Sequence, residues 1–338
     1  VVSHGPIERT PGTLGELHDQ FERRSASFSS ALFSELRRFV GEAGLEDAAK
    51  QSVLLVLRVP VVTRQGDSPA VQTKGFLLVD TSVCKLGERA EVLYKLDNGT
   101  KYFCVTTVGG RCPAPQWRDV RIVPLEVVEA FTPEKARRSS GITSAGPNGV
   151  VAGVGALGSA ISNLWTRQGW GRWSYIDPDV LMPHNLARHA GYEPQVGHRK
   201  VDVAAELECG LYPSLKPQRG VQASANEFTN ADVESQIGSA EFLIDLSTTL
   251  EVPRDLAVSS TSARCVSGFL TPSGADSVML LEDAARSIRL DVLEVQYYRF
   301  VLGAPWGDRH LTGHVGHLWV GAGCRDLSGV IPTDHIQI

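Results

Sequence analysis

The 338-residue sequence has no run of eighteen apolar residues and no signal-peptide pattern. Neither a membrane span nor export is indicated, and a cytoplasmic protein is expected. Its six cysteines, Cys84, Cys104, Cys112, Cys209, Cys265 and Cys324, form no C-x-x-C pair. That removes a zinc clip of paired cysteines, and the spacings do not outline a disulfide framework. A chain of this size can build a core without cross-links, so reduced thiols are expected. Charge of one sign is also missing: 33 Lys and Arg stand against 38 Asp and Glu, a net charge of −5, which argues against generic nucleic-acid binding. No Ser-His-Asp arrangement is evident. His310, His314 and His317 have the spacing of metal ligands on a helix, but Gly313 and Gly316 oppose a helix there. A loop covering the active site is the better reading of that trio.

What is present is a composition typical of a globular protein, 42% apolar and 21% charged, with room for two domains. Between residues 14 and 42, Leu17, Phe21, Phe28, Leu32, Leu36 and Val40 recur at helical spacing, which predicts one amphipathic helix. Val53–Val62 is a β-branched run, and Lys74–Asp80 and Lys101–Thr107 predict strands. This first part, residues 1–135, carries no nucleotide motif and reads as a small α+β domain. A boundary rich in Ser, Gly and Pro falls near Arg137–Gly149. Beyond it, strands at 150–152, 173–177, 218–222 and 241–246 alternate with helices at 158–169, 198–209 and 230–238. That order predicts an α/β fold with a doubly wound, mostly parallel Rossmann-like sheet over residues 136–338. Leu290–Val301, with Tyr297 and Tyr298, predicts a helix that covers the sheet or forms a partner-tail or dimer surface.

The chemistry is concentrated in residues 150–200. A short apolar run, Val150-Val151-Ala152, leads into Gly153-Val154-Gly155-Ala156-Leu157-Gly158. A strand that turns abruptly into a helix needs a residue free of Cβ clashes, which Gly153 supplies. Gly155 lets backbone approach a phosphate, Gly158 lets the helix pack on the strand, and the helix N-terminus offers free N–H groups to an anion. Asp177, at the end of the next strand, can accept hydrogen bonds from ribose hydroxyls. This much fits a dehydrogenase as well as an ATP enzyme. Asn185, Arg188 and Lys200 follow. A triphosphate being split needs side-chain cations, whereas a dinucleotide is held mainly by backbone amides.

The set Gly153-x-Gly155-x-x-Gly158, Asp177-x-Asp179, Asn185-Leu186-x-Arg188 and Lys200 resembles the adenylation domain of ubiquitin-activating enzymes and their ThiF-type bacterial relatives. His184-Asn185-Leu186-Ala187-Arg188-His189 is closer to a bacterial branch linked to ubiquitin-like conjugation in CBASS-type anti-phage operons. The resemblance covers roughly residues 130–338. It implies ATP and magnesium as cofactors, and adenylation of the C-terminus of a ubiquitin-like or nucleotidyltransferase-type protein. It further implies capture of the acyl group on a cysteine and transfer to a conjugating, E2-like domain, fused or separate. It implies a homodimer that uses neither nucleic acid nor a membrane.

Carried over by position, Gly153, Gly155 and Gly158 line the phosphate turn and Asp177 and Asp179 stand at the ribose. Asn185, Arg188 and Lys200 surround the triphosphate, the last two as catalytic cations. Arg137 or Arg138 would be an arginine sent across the homodimer into the partner's ATP site. Residues 1–135 would be a linker or degenerate adenylation-like domain. The sequence opens on Val1 and is expected to be part of a longer polypeptide, with a conjugating or isopeptidase domain removed.

Two positions depart from the pattern. His189 follows Arg188 where Gln is usual. Asp245-Leu246-Ser247-Thr248-Thr249 places Thr248 where a magnesium-binding Asp is expected, which leaves Asp245 as the candidate metal ligand. Cys324, in Gly323-Cys324-Arg325-Asp326-Leu327-Ser328, resembles the acceptor-cysteine region, with a loop near 310–330 around it. The flanking glycines predict an exposed loop, and Arg325 favours the thiolate. Cys265, in an apolar strand, reads as core. Two other readings stand beside adenylation: an NAD-dependent Rossmann oxidoreductase, and an impaired adenylation-fold scaffold, the latter kept open by Thr248.

Overall fold

The computed structural model describes residues 8–42, 51–61, 70–95, 102–104, 115–213, 215, 220–313, 316–319 and 327–337. Two compact units divide between Glu129 and Ala130.

In the first unit, the single helix expected over 14–42 is two: α1 (Leu14–Glu22) and α2 (Phe28–Glu42). The apolar spacing alone cannot register the break, because it continues through it. What stops α1 is local: Ser25 takes a left-handed φ of 58°, and the Arg24 and Ala26 amides both fold back onto the Phe21 carbonyl. The reversal stacks Phe21 on Phe28, with ring centroids 5.7 Å apart. The strands β1 (Ser52–Val61), β2 (Ala70–Ser82) and β5 (Ile122–Leu125) make an antiparallel sheet in the order β1-β2-β5. Helix α3 (Val83–Arg89) and a ribbon of β3 (Leu93–Lys95) and β4 (Tyr102–Cys104) complete the unit. The strand expected over 101–107 is described at 102–104 only. Along β2, Phe76 and Leu78 are buried while Leu77 faces outward, the period-2 alternation of a sheet with one covered face.

The second unit opens on α4 (Pro133–Ser139), capped by the Thr132 hydroxyl. Then come β6 (Asn148–Ala152), α5 (Ala156–Gln168), β7 (Arg172–Ile176) and α6 (Lys200–Leu211). After them run β8 (Gly220–Val221), α7 (Ala231–Gly238), β9 (Phe242–Asp245), α8 (Glu251–Val258), β10 (Arg264–Leu270) and β11 (Ser277–Leu281). Helices α9 (Leu290–Gly303) and α10 (Gly307–Leu311), the ribbon β12 (His317–Trp319) with β13 (Leu327–Gly329), and α11 (Thr333–Gln337) finish the chain. The six-stranded sheet runs β11-β10-β9-β6-β7-β8, parallel throughout except for β11. Its mixed α/β, mostly parallel layout is the Rossmann-like one that the alternation of elements implies. One core packs Val150, Ile176, Leu243, Leu256 and Cys265; a second packs Val151, Val154, Trp173 and Tyr175.

From β6 the chain proceeds outward to β7 and β8, then returns to the other side of β6 with β9. Loops leaving β6 and β9 therefore part in opposite directions. In open α/β sheets the crevice at such a reversal is where ligands bind. Among the described residues no helix is long and apolar enough to cross a membrane.

Candidate functional site

At the reversal, β6 ends in a turn whose geometry needs its glycines. Gly153 has φ +88°, and a Cβ there would lie 2.5 Å from the Ser247 backbone after β9. A Cβ on Gly158 would lie 1.9 Å from the Gly153 carbonyl oxygen, so only glycine lets α5 start this close to the turn. Gly155 is different: nothing lies within 4 Å of the Cβ position. That space is open to an incoming group. Gly155 also caps α5 without a side-chain hydrogen bond, which leaves the first-turn amides and the positive end of the helix dipole facing it.

The turn is clamped from two sides through Val154, which is fully buried. Asp177, just past β7, accepts the Val154 amide at 2.6 Å on one oxygen and the Asp179 amide at 2.8 Å on the other. His189 accepts the Gly191 amide on Nδ1 at 2.9 Å, so its Nε2 carries the proton and donates to the Val154 carbonyl at 2.9 Å. Burial lowers the His189 pKa to about 4, with the nearby Lys200 charge acting in the same direction. The ring is therefore neutral at pH 7. Burial raises the Asp177 carboxyl, and Lys200 and the two amide donors oppose that rise.

Lys200 is the first residue of α6. Its Nζ lies 2.8 Å from the Asp179 carboxylate; the lysine side chain is 10% exposed and the aspartate 61%. The exposed carboxylate is thus a counter-ion that an arriving phosphate can replace. Asn185 and Arg188 lie on and just after a 3₁₀ turn, Pro183–Ala187. Asn185 Oδ1 accepts the Met182 amide at 2.9 Å, which shapes that turn. Arg188 donates from Nη1 to the Gly329 carbonyl at 2.8 Å, and the Thr333 hydroxyl donates to the Ala187 carbonyl at 3.0 Å.

On the far side of the turn, Asp245 ends β9 and is 2% exposed. One oxygen accepts the Ser247 amide at 3.1 Å and the Ser247 hydroxyl at 2.5 Å; the other accepts the Ser267 hydroxyl at 2.8 Å. Burial raises its pKa and these donors oppose the rise. Thr248 holds φ +56°, a conformation unusual for a β-branched side chain, with its hydroxyl turned back onto the Ser247 carbonyl at 2.7 Å. Among the described residues no group of three His, Cys, Asp or Glu could hold a metal ion. Asp245 is the lone carboxylate of this loop, so any magnesium here would rely on phosphate oxygens and water for most of its ligands.

Val154, Asp177, Asp179 and Lys200 form one hydrogen-bonded set beside the turn that Gly153, Gly155 and Gly158 shape, and the Asp245–Ser247 loop packs against that turn. Arg137 lies elsewhere, donating at 2.8 Å to the Gly169 carbonyl at the C-terminal end of α5, while Arg138 is exposed. His310 lies in α10, with Nδ1 3.1 Å from the Tyr297 hydroxyl. Cys265 is fully buried in β10, and burial pushes its thiol up to about 12. Cys324 lies outside the described residues. His189, Val154, Ser247 and Ser267 complete the site, yet sequence reasoning gave them no role. Only the His189 departure hinted at one, because it marks the position directly after Arg188 as unusual.

Residues 148–269 match the ThiF family. The ATP-dependent ubiquitin transferase-like protein Cap2 of Pseudomonas aeruginosa is 27% identical over 133 residues, which are 37% of this chain and 23% of that protein. The chain thus spans less than a quarter of that relative's length. Among solved structures, E. coli MccB with ATP superimposes with a TM-score of 0.33 at 16% identity, over 38% of this chain and 39% of that one. E. coli MccB with AMPCPP and MccA gives 0.34 at 16% identity, over 40% of each chain.

Proposed function

With residues 148–269 forming a ThiF-type adenylation domain, we propose that this chain uses ATP to adenylate the C-terminal carboxylate of a protein tail. The observation that carries the reading is the linked set Val154–Asp177–Asp179–Lys200. It fixes an anion-ready turn and presents a lysine whose present counter-ion is exposed.

In the proposed step, a tail carboxylate oxygen attacks the α-phosphorus, a P–O bond forms, and the bond to the bridging oxygen breaks to release pyrophosphate. No proton moves, because the attacking carboxylate is already ionised at neutral pH. The difficulty is repulsion between like charges. The amides at the start of α5 and the Lys200 ammonium meet the phosphates, and Arg188 is the second cation. Asp177 holds the turn and keeps lone pairs for ribose hydroxyls. Asp245 would hold magnesium, which when bound offsets triphosphate charge.

The finer reading follows the same line. The tail belongs to a ubiquitin-like or nucleotidyltransferase-type protein, Cys324 takes the acyl group as a thioester, and a conjugating domain receives it. The protein acts as a cytoplasmic homodimer, with Arg138 the freer candidate for a residue shared across it. The setting is bacterial anti-phage defence. ATP–pyrophosphate exchange that depends on a tail-bearing protein and magnesium tests the reaction. ATP binding without exchange would support a scaffold, the reading kept open by Thr248 in place of an aspartate; bound nicotinamide would support an oxidoreductase. For Cys324, a thiol-sensitive adduct should vanish in Cys324→Ala while exchange persists. An adduct that survives assigns the role to another cysteine.

A further inference from the structure

The glycine turn shares a wall with a cavity that extends beyond Asp245, away from the turn. It encloses about 220 Å³ at the β9–β10 side of the sheet. Asp245 and Thr248 line it toward the turn, and Leu250, Phe269, Leu280 and Tyr297 line it beyond. The wall is the loop after β9, packed so closely on the turn that a Cβ at Gly153 would touch Ser247. Pockets for drug-sized ligands run to about 300–1,000 Å³, so this one suits a single side chain. Among the described residues its lining includes no cation. Its two carboxylates are already engaged, Asp245 by Ser247 and Ser267, and Glu294 by Arg254 at 2.7 and 2.8 Å.

Distance sets the register. Neighbouring strands lie about 4.8 Å apart, and β10 is two strands from β6, so the cavity is roughly 10 Å from the turn. An extended chain advances about 3.3 Å per residue, and two or three residues cover that gap. We propose that the cavity receives a bulky, uncharged apolar side chain of the protein tail, two or three residues before its terminal carboxylate. This deepens the adenylation reading and rests on it. The apolar walls favour Leu or Phe, and the adjacent carboxylates disfavour Asp or Glu.

The test uses fluorescein-labelled alanine octapeptides with Leu, Phe, Ala or Asp at the third position from the carboxyl end. Binding to the full chain is read by anisotropy without ATP. Leu and Phe should bind at least tenfold more tightly than Ala, Asp should gain nothing, and Leu moved to the sixth position from the end should lose the gain. Leu250 is 53% exposed, so Leu250→Lys should keep the fold while shifting the preference from Leu toward Asp. Equal binding of all peptides, no binding up to millimolar concentration, or an unchanged preference in Leu250→Lys overturns the inference. ATP–pyrophosphate exchange with the same peptides separates it from the adenylation reading. Side-chain preference without exchange leaves the cavity assigned and removes adenylation. Exchange indifferent to the side chain does the reverse.

Discussion

Replacing His189 by leucine removes both polar contacts of a ring that is 6% exposed, leaving the Val154 carbonyl and the Gly191 amide without their partner. Each buried, unpaired group costs about 1–3 kcal/mol, so with two of them the variant should be less stable at pH 7.5 by about 2–6 kcal/mol. The pH dependence is the sharper part. In the unfolded chain the imidazole takes its proton near pH 6.5, whereas in the fold it does so only near pH 4. The unfolded state therefore binds more protons in that window. The contribution of the neutral ring is complete above pH 6.5 and is lost as pH falls toward 4. At ~1.36 kcal/mol per unit, wild type should lose about 2–3 kcal/mol between pH 6.5 and 4.5 from this group alone. Asp177 and Asp245, whose carboxyls burial raises, act in the opposite sense, but both proteins contain them and they cancel in the difference. Urea unfolding followed by fluorescence of the Trp165, Trp170 and Trp173 cluster, in the same unit, measures the gap. The gap should be large at pH 7.5 and shrink by about 2–3 kcal/mol at pH 4.5. A gap that stays constant would refute the assignment of a neutral, doubly bonded His189.

The glycines should separate by role. Gly155→Ala, where nothing lies within 4 Å of the new Cβ, should leave the melting temperature nearly unchanged yet weaken ATP binding, whereas Gly158→Ala should lower both, because its Cβ meets the Gly153 carbonyl; calorimetry reads each pair of values. Glu282 is fully buried and accepts from the Cys265 amide and from Arg286 Nε at 3.0 and 2.6 Å. Glu282→Ala should cost about 3–5 kcal/mol in denaturant unfolding, since it strands the Arg286 charge. Cys265, with its thiol raised to about 12, should resist iodoacetamide at pH 8 in the folded protein and react once urea unfolds it, as read by mass spectrometry of its peptide.

The parallel sheet was legible because Val150–Ala152, Trp173–Ile176 and Phe242–Asp245 are short apolar runs separated by helical periodicity, and both faces of such strands are covered. The tight turn after β6 was legible because glycine spacing encodes a backbone path. The break between α1 and α2 was not, since Phe21 and Phe28 keep helical spacing while the chain reverses between them. The partners of Asp177 were equally hidden. A strand-end aspartate announces hydrogen bonds, but that it grips the Val154 amide 23 residues earlier depends on β6 and β7 lying side by side. The same holds for Asp245: Ser247 is local, but Ser267 reaches it only because β10 pairs with β9. Arg188 and Gly329 are 141 residues apart and meet only in the folded unit.

Titration of the purified chain with ATP by calorimetry, in wild type and in Lys200→Ala, tests the central claim that residues 153–200 seat a nucleoside triphosphate. The account predicts saturable ATP binding that NAD does not displace, and affinity at least tenfold weaker in Lys200→Ala with the melting temperature little changed. ATP binding indifferent to Lys200, displacement of ATP by NAD, or no ATP binding at all would contradict it.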